Sequence, residues 1–157
     1  MTTASIPYSD EYLRNLYQTF DYNRIFFDSP ILKASCAIPF FGFIPSYILQ
    51  SQINHEFQSY GQFLHDPNLN ASVNPRIVEL IEIKNHYKIA AVLGQLLTIA
   101  LLVAGIALGT IPEISLAFGV IMLNAISIGL NLYHIFYNHH VAREISAHGH
   151  HGYIIVR

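Results

Sequence analysis

Six of the nine histidines lie near the C-terminal end: His134, His139, His140, His148, His150 and His151. Closely spaced imidazoles are ligands for zinc, copper or nickel, so His139, His140, His148, His150 and His151 are the candidate metal ligands. Their spacing argues against a shared ion. On a helix, with about 100° per residue, His134 and His140 point about 240° apart. The sequence therefore predicts solvated histidines beside a membrane interface, with no resident metal or cofactor.

No other residue pattern points to catalysis. The single cysteine, Cys36, sits in an apolar run without a histidine beside it to activate it. Neither a phosphate-cradling G-x-x-x-x-G-K-[ST] loop nor a G-x-G-x-x-G turn occurs, and no serine occupies a G-x-S-x-G elbow. The spacings His134-x-x-x-x-His139-His140 and His148-x-His150-His151 also differ from the histidine boxes of membrane di-iron hydroxylases. Eight Lys and Arg against ten Asp and Glu give a net charge of −2, with no basic patch to hold a nucleic acid. The sequence predicts a protein that is not an enzyme.

The apolar segments that would carry these residues are far more informative. Only 11% of the 157 residues are charged, and 52% are hydrophobic. No charge lies between Lys88 and Glu113, and none between Glu113 and Arg143. Ile89 to Leu108 and Ile114 to Leu132 fill those gaps, and spans over about 89–108 and 114–133 match the roughly 20 helical residues that a bilayer core requires. The Leu, Ile and Val residues of the first favour insertion by about 3–7 kcal/mol, more than Gln95 and Thr98 cost. The fold class expected is an all-α membrane protein built on an antiparallel transmembrane helical hairpin.

The turn Gly109-Thr110-Ile111-Pro112-Glu113 is short enough to make the two helices neighbours. Gly109 suits a helix C-terminus and Pro112 the first turn of the next helix. Folding about Ile111 sets Thr98 level with Asn124 and Gln95 level with Ser127, and Asn131 continues that polar stripe. Gly105-x-x-x-Gly109, Ser115-x-x-x-Gly119 and Ala125-x-x-x-Gly129 add small-residue faces for close packing, within the hairpin or against a second copy. Lys84 and Lys88 before the first span and Arg143 after the second place both outer flanks on the cytosolic side, with the turn opposite. Tyr87, Tyr133, Phe136 and Tyr137 lie at that same interface.

The remainder divides into a polar and aromatic N-terminal region over 1–30, a proline-interrupted hydrophobic segment over 31–49, a polar connector over 50–74, and a histidine-rich tail over 138–157. The segment over 75–137 holds the hairpin and its leading helix. A helix over Asp10 to Tyr22 is expected in the first part. Pro39, Gly42 and Pro45 break the hydrophobic segment over 31–49, which is expected to enter the membrane or lie at its surface rather than cross it. Asn74 and Pro75 look like the cap and first turn of a helix running into the first span.

Two closely spaced spans, a short glycine and proline turn, both flanks on one side and a polar Met1 to Asp10 without a signal-peptide core resemble the bilobed hydrophobic domain of chlamydial inclusion membrane proteins. The stretch Ala37-Ile-Pro-Phe-Phe-Gly-Phe-Ile-Pro-Ser-Tyr47 is similar to apolar Ile-Pro-x-x-Gly stretches ahead of such hairpins. That resemblance implies type III secretion, insertion into the host vacuole (inclusion) membrane, and flanks facing host or bacterial protein partners. The alternatives are a histidine-rich metal-binding membrane protein or enzyme, and a small subunit of a larger membrane complex.

Overall fold

The computed structural model describes residues 9–61 and 70–148, and every regular element among them is a helix. These are α1 (Asp10–Phe27), α2 (Pro30–Cys36), α3 (Phe43–Gly61), α4 (Asn70–Ala107) and α5 (Ile114–His148). Their lengths follow from local chemistry. The Ser9 hydroxyl accepts the Tyr12 N–H at 3.2 Å, Asp10 and Glu11 sit in the first turn of α1, and Arg24 sits in its last. Each complements the helix dipole. The helix extends past Tyr22 to Phe27 because Phe27 is 5% exposed and anchors the last turn in the core.

The expected polar connector is helical through Gly61. Leu49, Ile53 and Tyr60 are buried and Phe57 packs beside them, a helical stripe set among Gln, Ser, Asn and His. Likewise α4 begins at Asn70, ahead of the expected cap at Asn74, and holds Pro75 inside it. Val73, Ile77, Leu80 and Ile81 are all buried on one face, so packing draws the helix start forward and outweighs the hydrogen bond that Pro75 cannot donate. At 38 and 35 residues, α4 and α5 are about 57 and 52 Å long, well beyond a 30 Å hydrocarbon layer.

The core occupies only one end of the molecule. Phe20, Ile53, Tyr60, Ile77, Leu80, Tyr87 and Ile145 form it, with contributions from α1, α3, the first half of α4 and the last turns of α5. The Phe20 and Tyr60 rings meet edge to face at 5.3 Å, and the Arg76 guanidinium lies 4.2 Å over the Tyr17 ring. Burial raises the Tyr60 hydroxyl pKa to about 12. Beyond this core the apolar side chains face outward, among them Leu93, Leu97, Leu101, Phe118, Leu123 and Leu130.

Contacts along α4 trace the path of the first three helices. Arg24 meets Glu79, the Tyr87 hydroxyl donates to the Phe27 carbonyl, and the Phe40 amide reaches Thr98. The chain then reverses, since Asn54 on α3 accepts from Lys84 at 2.7 Å. Residues 37–42 are therefore the turning point, alongside the apolar part of α4. Both α4 and α5 are long and apolar enough to cross a membrane, with mean hydropathies of 2.4 and 1.8.

Candidate functional site

Polar contacts tie α4 to α5. Asn138 Nδ2 donates to Asn85 Oδ1 at 2.9 Å, Lys88 Nζ lies 3.5 Å from His134 Nδ1, and Gln95 Nε2 donates to Ser127 Oγ at 2.6 Å. Residue numbers rise along α4 as they fall along α5. Lys84 and Lys88 are 1% and 4% exposed, four residues apart at the foot of the apolar stretch.

Thr98 and Asn124 do not pair. Thr98 Oγ1 donates to the Gly94 carbonyl at 2.9 Å and accepts the Phe40 N–H at 2.8 Å, while Asn124 Nδ2 donates to the Val120 carbonyl at 2.8 Å. The reason is a third partner: the 37–42 turn reaches Thr98 first, and Asn124 turns back on its own helix. Asn131 is half-buried on α5.

The glycines also divide. Gly109 closes α4 in a left-handed conformation, φ 68°, with its N–H on the Ile106 carbonyl and the Thr110 N–H on the Gly105 carbonyl, each at 3.0 Å. That is a Schellman cap, which glycine favours at this position. A Cβ on Gly105 would meet Ile111 of the turn at 2.6 Å, so Gly105 packs against its own turn. Gly109, Gly119 and Gly129 have nothing within 4 Å of an added Cβ, and Ser115 is exposed, so these residues make no close helix contact within one chain. Instead Gly94 carries the tight approach, where a Cβ would lie 2.9 Å from the Ala37 backbone, and one on Gly42 would collide with the Cys36 carbonyl. The Gly94-x-x-x-Thr98 spacing was the available signal for this contact. Helix α5 starts at Ile114, with the Ala117 N–H on the Glu113 carbonyl, so Pro112 precedes the helix and lies outside its first turn.

Under the 37–42 turn lies a cavity of about 140 Å³, walled by Cys36, Phe40, Gly94, Gln95, Thr98 and Asn124 with apolar neighbours. Gln95 is 8% exposed, and its Oε1 is buried with no hydrogen-bond partner. A more open cleft beside the α1–α2 junction is lined by Arg24, Asp28, Glu79, Glu82 and His86. There the Lys33 ammonium, 2.5 Å from Asp28, holds that carboxyl below its usual range.

Of the histidines, His139 and His140 are exposed on α5, and His140 Nε2 lies 3.2 Å from Glu144 Oε1 one turn on. His148 ends that helix, while His150 and His151 lie outside the described residues. Among the described residues, no three His, Cys, Asp or Glu side chains come together as a metal site. Compared with protein-family models, curated proteins and solved structures, the chain matches none.

Proposed function

We propose that this protein is a non-enzymatic membrane anchor in which α4 and α5 form an antiparallel transmembrane hairpin and the helical core displays a surface for protein partners. The observation that carries this reading is the outward apolar band. Only 6% of the most apolar window of α5 is buried inside the protein, whereas the core helix of a soluble domain would bury most of it. Residues 89–142 contain one charge, Glu113, in the turn between the helices. The polar contacts at Asn85, Lys88 and Gln95 support the antiparallel register.

In this arrangement the 31–49 segment is re-entrant. It follows α4 to the level of Thr98 and returns along α3, leaving Phe41, Phe43, Tyr47 and Ile48 facing lipid. The positive-inside rule, applied to Lys84, Lys88 and Arg143, supports a cytosolic side for the core. By resemblance to inclusion membrane proteins, that side is host cytosol and the partners are host or bacterial proteins. Alkaline carbonate extraction tests the anchor. The protein is expected to stay in the membrane pellet, and its release into the supernatant contradicts the reading.

A further inference from the structure

We propose that the cavity beneath the 37–42 turn is a binding site for a small uncharged alcohol or phenol, held by a single hydroxyl on the Gln95 amide. Its volume of about 140 Å³ is close to that of an engineered apolar cavity of about 150 Å³ known to hold benzene. Ligands of about six or seven heavy atoms therefore fit. No charged residue lines it, so a charged ligand would meet no counter-charge in a low-dielectric setting.

Polarity selects the hydroxyl. Ser127 occupies one end of the Gln95 amide at 2.6 Å and the other end has no partner, whichever way the amide is turned. A hydroxyl answers both cases, because it donates to an amide oxygen and accepts from an amide nitrogen. Thr98 is unavailable, since its hydroxyl already serves Phe40 and Gly94. Asn124 spends its Nδ2 on Val120, and among the described residues lining the cavity only Gln95 holds a buried polar atom without a partner. Gln95 is thus the anchoring group. The hydroxyl could come from a free alcohol or from the headgroup of a neutral lipid such as a diacylglycerol, which share that chemistry.

The only cysteine provides the assay, because Cys36 is 0% exposed yet lines the cavity. The full chain in detergent micelles is treated with methyl methanethiosulfonate, a small neutral thiol reagent, with phenol or benzene as competitor. Phenol is expected to slow Cys36 modification at about five- to tenfold lower concentration than benzene, the ratio one hydrogen bond supplies. Gln95→Leu should abolish that ratio while leaving protection by benzene. Equal protection by phenol and benzene, absence of protection by either, or a Cys36 that reacts only after denaturation each overturns the proposal. The comparison on the unaltered chain decides even where Gln95→Leu fails to fold. In phosphatidylcholine vesicles, added dioleoylglycerol slows the reaction if the hydroxyl is lipid-borne and leaves it unchanged if the source is a free alcohol. The micelle measurement does not involve topology, so its failure leaves the membrane reading standing.

Discussion

The Thr98 hydroxyl joins two backbones: it accepts the Phe40 N–H at 2.8 Å and donates to the Gly94 carbonyl at 2.9 Å. Phe40 has φ 65°, a left-handed conformation that costs a non-glycine residue about 1–2 kcal/mol. One side chain therefore pins a strained turn to α4 at the point where the chain reverses. Thr98→Val keeps the shape and removes the acceptor. It should cost about 1–3 kcal/mol in detergent-titrated unfolding, and Thr98→Ser should recover most of the loss.

The close approach of the turn to α4 makes Gly94 intolerant of any side chain. Gly94→Ala should destabilise by about 1–3 kcal/mol, because the new methyl meets backbone that cannot swing aside. Gly119→Ala, with open space around it, should change stability by less than about 0.5 kcal/mol. The same unfolding titration measures both.

Between α4 and α5, the Gln95–Ser127 bond should be worth little in spite of its 2.6 Å length. Interhelical hydrogen bonds in membranes average about 0.6 kcal/mol and seldom exceed about 1.7. A double-mutant cycle of Gln95→Leu and Ser127→Ala should give a coupling energy in that range.

At the joint of α1 and α4, burial ranks two contacts in opposite order to their charge. Tyr87 is 0% exposed, and Tyr87→Phe leaves the Phe27 carbonyl without its donor, costing about 1–2 kcal/mol. Arg24 and Glu79 are 43% and 44% exposed at 3.4 Å, so Glu79→Gln should cost less than about 1 kcal/mol. Thermal unfolding of the two variants side by side measures the difference.

The two apolar helices and the Gly109 cap were legible in the sequence because each rests on local chemistry: charge-free windows, and a glycine where φ turns positive. Helix α3 was obscured because Leu49, Ile53, Phe57 and Tyr60 are separated by polar residues whose composition resembles a linker. The partner of Thr98 was hidden for a different reason. Matching depths between two helices sets it opposite Asn124, but the 37–42 turn is a third element that only tertiary folding brings there. Glycine spacing pointed to Gly105 and Gly109, yet Gly105 crowds only a side chain of its own turn, and the close approach to another element's backbone occurs at Gly94, whose neighbour Ala37 is remote in sequence. Periodicity sees one element at a time, and these contacts belong to three.

The hairpin topology is most directly tested by cysteine accessibility in oriented vesicles on a Cys36→Ser background, using a membrane-impermeant maleimide. Exposed positions at Asp10, Ser59, Thr110 and Ala147 each carry one introduced cysteine. Cysteines at 10, 59 and 147 should react from one side, and the cysteine at 110 only from the other. Labelling of 110 from the same side as 147 would contradict the transmembrane hairpin.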